Sequence, residues 1–201
     1  MVEHPDFEPD MLYGGFPMKD LRCKFLMAPP SEPCLLTPEC LPEGLEIIEL
    51  PGHCFGMVGF RTSDDVVFLA DALSSAETLV KYRLGFVYDL KAYFETLEMV
   101  KTIDASCFVP SHAPQTDNIV PLADLNIEKT KENAELILQL ISTPKIFEDI
   151  LTGVFNYFGI GMNVIQYVLV GSTVKSYLSW LKDTGKAEFY FENNRMLWKS
   201  I

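Results

Sequence analysis

Three short apolar segments each end in a residue that can bind a metal ion, and this pattern constrains the fold more than any other part of the chain. Residues 47–50 and 57–62 flank the turn that carries His53, residues 66–70 run into Asp71, and residues 108–110 run towards His112. A strand buries its apolar side chains, and the residue beyond its end faces the rim of the sheet. We therefore expect His53, Asp71 and His112 to meet at one edge, as a partial ligand set for zinc, iron or manganese.

The apolar periodicity predicts an α+β protein in which a sheet alternates with amphipathic helices. We predict strands over residues 45–50, 57–62, 66–70 and 108–109, with a hairpin turn at 63–65. We predict helices over residues 75–84, 89–102 and 127–141. Ser75 is expected to cap the first of these helices.

The metal-ligand candidates occur in motifs that resemble the second half of the metallo-β-lactamase superfamily. The motifs are Pro51-Gly52-His53, the apolar run 66–71 ending in Asp71, and 110–112 ending in His112. The resemblance implies half of an αββα sandwich, with a mixed sheet and helices on one face. It also implies that His53, Asp71 and His112 correspond to the last three ligands of a binuclear site.

The first motif of that family, His-x-His-x-Asp-His, has no counterpart in this sequence, whose one remaining histidine is His4. Four of the family's seven metal ligands are therefore missing. The resemblance implies a metal-dependent hydrolase in which metal-activated water attacks an ester-type or other small-molecule substrate in an intact homologue. For this chain we expect a partial or empty zinc site and absent or weak activity.

Residues 1–44 contain eight prolines and a Gly-Gly pair, which excludes long helices and strands there. We expect an extended cover with about one helical turn. In the family a segment of this kind follows the first metal motif, so we expect a truncated member that begins in mid-fold. A natural small protein with half a sandwich is the alternative.

Half a sandwich would leave one apolar face of its sheet without a cover, and monomers seldom expose a large apolar area. We expect that face to be buried by homodimerisation or by residues 1–44. The alternative to a hydrolase is therefore a non-catalytic module that dimerises or binds another protein.

Residues 142–201 are predicted to form a separate winged-helix-like domain after a first domain of residues 1–141. Helices are expected over residues 144–158, 163–170 and 172–182, followed by a hairpin around Asn193-Asn194. This tail contains six Lys or Arg residues against five acidic ones, and Lys175 and Lys182 alone lie on its last predicted helix. A DNA-reading helix needs more positive charge, so we expect the tail to pack against protein instead of nucleic acid.

The composition supports a protein of the cytoplasm. The net charge of −12 opposes general binding to nucleic acid. The five cysteines include no Cys-x-x-Cys pair and are odd in number, which favours a reducing compartment over a disulfide framework. No apolar run approaches the length of about 18 residues that a membrane helix requires, and no signal peptide opens the sequence.

Overall fold

The computed structural model describes residues 4–5, 7–33 and 35–201. Its helices are α1 (Phe7–Tyr13), α2 (Ala76–Tyr82), α3 (Leu90–Val100), α4 (Val120–Leu140), α5 (Phe147–Phe158) and α6 (Val164–Asp183). Its strands are β1 (Glu46–Glu49), β2 (Val58–Arg61), β3 (Val66–Phe68), β4 (Cys107–Val109), β5 (Ala187–Glu192) and β6 (Arg195–Ser200). None of the helices in the described part of the chain combines the length and the apolar character needed to cross a bilayer.

Strands β1 to β4 form one mixed sheet in the order in which they occur along the chain. The pairs β1–β2 and β2–β3 are antiparallel, whereas β3 and β4 are parallel. The predicted strands are confirmed to within two residues, and the α+β class with a mixed sheet is confirmed. The predicted hairpin turn contains Asp65, which takes a positive φ of 65°.

One face of this sheet lies in the core beneath α3 and α4. Val67 and Phe108 are neighbours on that face and are buried together with Leu90 and Leu97 of α3. Because side chains alternate along a strand, Phe68 lies on the opposite face. Phe68 is paired in register with Phe60 and Val109 and remains 43% exposed. The sheet thus has one covered face and one open face.

Helix α4 begins seven residues before its predicted start, so the prediction of a helix over residues 127–141 was too short. The side chain of Asn118 accepts a hydrogen bond from the backbone N–H of Val120 at 3.2 Å. Pro121 lies in the first turn, where a missing backbone donor costs nothing. The apolar stripe that we used for the prediction starts only after this capped first turn.

Residues 164–183 form one continuous helix, α6, and the prediction of two helices separated at Gly171 and Ser172 was wrong. Asn163 caps α6 by accepting from the backbone N–H of Gln166 at 2.9 Å. Gly171 faces Phe147 and Leu151 of α5, where a Cβ atom would lie 3.6 and 3.7 Å from the two side chains, so the helix continues through a packed position. An isolated glycine costs a helix only about 1 kcal/mol, which the packing on both sides of it offsets.

The remaining tail elements agree with the sequence prediction. Gly159 ends α5 in the left-handed conformation, with φ 64°. Asn193 and Asn194 both take positive φ in the turn between β5 and β6, as expected of a tight hairpin. One buried cluster contains residues on both sides of position 142, including Ile141 and Ile150. The domain boundary at 142 and the winged-helix likeness stay predictions.

The described part of residues 1–44 packs against α6. Leu12, Leu21 and Leu26 form a second buried cluster with Val168. The described part of the segment contains α1, of seven residues, and two single turns of 3-10 helix, which is more helix than the expected single turn. Its buried side chains therefore cover a helix and not the open face of the main sheet.

Candidate metal site

The three predicted ligands lie together at one edge of the main sheet. The carboxylate of Asp71 is placed between two imidazoles. Its Oδ1 lies 3.4 Å from Nε2 of His112, and its Oδ2 lies 3.9 Å from Nε2 of His53. All three side chains retain contact with solvent.

The loop that carries His53 depends on a glycine. Gly52 has φ 123°, and a Cβ atom at this position would lie 2.4 Å from the backbone N and Cα of Tyr93 in α3. The Gly52 carbonyl accepts from the N–H of Asp89 at 2.9 Å, and the hydroxyl of Thr96 donates to the carbonyl of Pro51 at 2.7 Å. Only glycine permits both this backbone conformation and this close approach to the helix.

The imidazole of His53 is the more sheltered of the two. Its side chain is 26% exposed, and its ring meets the ring of Phe86 edge to face at a centroid distance of 5.7 Å. Burial lowers the pKa of His53, and this effect outweighs the opposing influence of Asp71. His53 is therefore neutral near pH 7, which is the form that binds a metal ion.

Asp71 is positioned by the parallel pairing of β3 and β4. Beyond the paired strands, the N–H of Leu69 donates to the carbonyl of Val109 at 3.0 Å. The N–H of Ser111 then donates to the carbonyl of Ala70 at 2.9 Å, so the two chains stay together up to the ligand-bearing positions. Parallel strands that end side by side bring the residues after them to one rim.

His112 is held by the start of α2. Its carbonyl accepts from the N–H of Ser75 at 2.9 Å and from the hydroxyl of Thr78 at 3.1 Å. Its side chain is 50% exposed. Ser75 also caps α2, because its hydroxyl accepts from the N–H of Thr78 at 3.2 Å, as predicted.

Asn126 supports this rim, and the sequence prediction missed it. The side chain is 1% exposed and clamps Ser74 by accepting from its N–H at 3.0 Å and donating to its carbonyl at 2.9 Å. Asn126 precedes the apolar stripe of α4, so the periodicity gave it no role. A buried amide that satisfies both backbone groups of one residue fixes the direction of that chain.

The donor chemistry of the three residues fits zinc. On a tetrahedral ion with bonds of about 2.1 Å, two ligand atoms lie about 3.4 Å apart, which matches the pair formed by Asp71 and His112. Within the described ranges of the chain, however, no group of three or more His, Cys, Asp or Glu side chains is arranged to enclose an ion. The ligand roles of His53, Asp71 and His112 therefore stay predictions.

The thiol of Cys54, next to His53 in the sequence, lies in surroundings that oppose its ionisation while no metal ion is bound. Burial raises the pKa of its thiol, and the nearby carboxylates of Asp71 and Glu8 raise it further. The metal-binding form of cysteine is the thiolate, which this environment opposes. Burial also raises the pKa of Glu8, whose approach to the site the sequence gave no reason to expect.

Solved structures of metallo-β-lactamase-type proteins share this fold. A metallo-β-lactamase family protein from Thermus thermophilus superposes with a TM-score of 0.66 and 15% identity, over 98% of this chain and 64% of its own length. A beta-lactamase domain protein from Burkholderia ambifaria superposes with a TM-score of 0.59 and 13% identity, over 80% of this chain and 52% of its own length. No family model and no curated protein matches the sequence. The chain thus spans less than two thirds of the structures that it resembles.

Proposed function

We propose that this chain is a partial member of a group of metal-dependent hydrolases, in which His53, Asp71 and His112 form an incomplete zinc site. The observation that carries the proposal is the position of the Asp71 carboxylate, which faces the Nε2 atoms of both histidines. The likeness in fold to metallo-β-lactamase-type structures supports it. Iron or manganese could occupy the same donor set.

Zinc at such a site would supply a water molecule acidic enough to act as a nucleophile near neutral pH, suited to an ester-type or other small-molecule substrate. The protein's own contribution is the arrangement of the ligands. Burial keeps His53 neutral, and Asp71 provides one oxygen towards each imidazole. Because four ligands of the related first motif are absent from the sequence, we propose that activity is absent or weak.

Hydrolysis of 4-nitrophenyl acetate by zinc-loaded protein tests this function. We expect either no turnover above buffer or a weak activity that Asp71→Asn removes. Asp64→Asn is the matched control, because it neutralises an exposed carboxylate at the far end of β3. Activity that survives Asp71→Asn unchanged would contradict the proposed role of this residue.

A second function is favoured by the open face of the main sheet, namely a module that pairs with a second copy of itself. Phe68 is exposed there, next to the half-buried side chains of Phe60 and Val109. An apolar strip of this kind on a sheet is a self-complementary surface for a symmetric dimer. We propose a homodimer through this face, and the described part of residues 1–44 does not compete for it because its buried residues pack on α6.

Static light scattering tests the dimer. We expect the mass of two chains for the natural protein and of one chain for Phe68→Lys. Phe191→Lys, which changes an exposed phenylalanine on the β5–β6 hairpin, should leave the dimer intact. A natural protein that is monomeric at all concentrations would contradict this second function.

We propose that the winged-helix-like tail binds protein and not nucleic acid. Phe189, Tyr190 and Phe191 are exposed on its hairpin, and its last helix carries few basic residues. A cytoplasmic location is proposed for the whole chain from its cysteine content. Binding of duplex DNA that persists at physiological salt would contradict the assignment of the tail.

A further inference from the structure

Three partly exposed aromatic rings lie beside the candidate metal site. The ring of Phe55 packs on the ring of Tyr88 at a centroid distance of 4.1 Å, and the ring of Phe7 lies 6.1 Å from that of Phe55. The three residues are between 40% and 46% exposed. We call Phe7, Phe55 and Tyr88 the aromatic platform.

The platform and the imidazole of His53 are carried by the same two chain segments. Two ring pairs join the same two chain segments: His53 meets Phe86, and Phe55 meets Tyr88. Val87, between Phe86 and Tyr88, is buried in the main core, whereas Phe86 packs against the second buried cluster and Tyr88 is 40% exposed. The N–H of Tyr88 also donates to the carbonyl of His53 at 3.2 Å. The platform is therefore built on the backbone that carries His53.

The backbone under the platform is fixed before any ligand arrives. The N–H of Tyr88 donates to the carbonyl of Gly52 at 3.0 Å, and its own carbonyl accepts from the hydroxyl of Ser176 in α6 at 2.8 Å. Both sides of this peptide segment are thus held by other elements. A surface that is ordered in advance loses little entropy on binding.

The charges around the platform disfavour an anionic ligand. In the part of the chain that the structure describes, the cations that lie over aromatic rings use Phe16, Tyr82, Phe147 and Trp180, and none lies over a platform ring. Glu8, next to Phe7 in sequence, and Asp71 both lie near Cys54, the residue before Phe55, and Asp89 follows Tyr88 in the sequence. Phe55 and Tyr88 pack on each other at a centroid distance of 4.1 Å, so each turns part of its ring surface, where a cation would bind, towards the other ring.

We propose that the aromatic platform binds an uncharged aromatic or alkyl group, such as the acyl part of a neutral ester. As a statement about substrate choice, this inference rests on the proposed hydrolase function. As a statement about binding, it requires no metal. The apolar group would lie against Phe55 and Tyr88, which places the bond next to it near His53.

Titration of metal-free protein with N-benzylacetamide, followed by NMR of the backbone amides, tests the platform. We expect saturable shifts at residues 53–56 and 86–88. Phenyl phosphate, which is similar in size but anionic, should bind at least tenfold more weakly. Phe55→Ala should weaken binding of N-benzylacetamide about three- to tenfold, the range that a lost aromatic contact produces. Phe55→Leu, which keeps the site apolar, should recover part of that loss.

Tyr157→Ala, which removes an exposed ring on α5, should leave the affinity unchanged. The inference is wrong if phenyl phosphate or benzyltrimethylammonium binds more tightly than the neutral probe, or if Phe55→Ala has no effect in a protein that melts like the natural one. A zinc titration of the same samples reports on the proposed function separately, because Phe55 is not a ligand. Shifts at the platform without any zinc binding would uphold the binding surface and contradict the metal site.

Discussion

The two faces of the main sheet are built from similar apolar residues and meet different surroundings. On the covered face, Phe108 is 3% exposed beneath α3 and α4. On the open face, Phe68 is 43% exposed, although the two residues lie on paired strands. Both faces are apolar because of the strand sequence. The covered face contributes more to stability because it is buried beneath α3 and α4.

The same contrast applies to the rim where the candidate ligands meet. His53 is carried by the loop that packs on α3 and its ring lies against Phe86, whereas His112 is half exposed beyond β4. The site is thus rigid on its covered side and accessible on its open side.

The largest effect is expected at the contact between the loop and α3. Gly52→Ala would place a Cβ atom 2.4 Å from the backbone of Tyr93, so the loop or the helix must move. We expect a loss of about 3 kcal/mol or more in the free energy of unfolding, measured with urea. Gly56→Ala is the matched control: φ is again positive, but no atom lies within 4 Å, and we expect a loss of about 1–2 kcal/mol. Equal losses of stability for both variants would contradict the claim that only the side of the loop facing α3 is tightly packed.

A pair of phenylalanine variants compares the two faces directly. Phe108→Ala removes a buried ring and should lower the free energy of unfolding by about 3–5 kcal/mol. Phe68→Ala removes a half-exposed ring and should cost about 1 kcal/mol or less at concentrations where the protein is monomeric. A cost for Phe68→Ala as large as that for Phe108→Ala would show that the open face is covered in the folded chain.

The fold was more predictable from the sequence than the site. Strands β1 to β4 are indicated by apolar runs between turn residues, and the cap of α2 is indicated by Ser75. The continuity of α6 could not be predicted. The local sequence pattern predicts that a helix ends at Gly171, whereas in the structure the helix continues and Gly171 faces α5. Local signals therefore fail where tertiary packing decides the outcome.

For the site, sequence spacing identified His53, Asp71 and His112 but none of the residues that hold them. Asn126 lies 52 residues from Ser74, and Phe86 and Tyr88 reach the His53 loop through a connection between helices. A hydrogen bond or ring contact between residues so far apart in the sequence produces no periodic pattern from which a single sequence could predict it. The candidate ligands could be predicted because the sequence indicates where the strands end. The residues that support them could not be predicted in this way.

A smaller effect is expected from the pH dependence of stability. Because burial lowers the pKa of His53 in the folded state, the unfolded chain binds this proton more readily. The metal-free protein should therefore lose stability as the pH falls below about 6.5, towards the lower folded-state pKa, with no such loss above that pH. His53→Asn should flatten this part of the profile, measured by urea unfolding in the presence of a chelator. A slope that His53→Asn leaves unchanged would assign the acid sensitivity to other groups.

Zinc affinity is the most direct test of an incomplete site formed by His53, Asp71 and His112. We would titrate chelator-treated protein with zinc by isothermal calorimetry, and compare it with Asp71→Asn and with Asp64→Asn as the control for lost charge. With three side-chain ligands and no enclosing group among the described residues, we expect a Kd weaker than about 1 µM that Asp71→Asn weakens further and Asp64→Asn does not. Sub-micromolar binding would contradict the incompleteness of the site, and binding that is unaffected by Asp71→Asn would contradict its location.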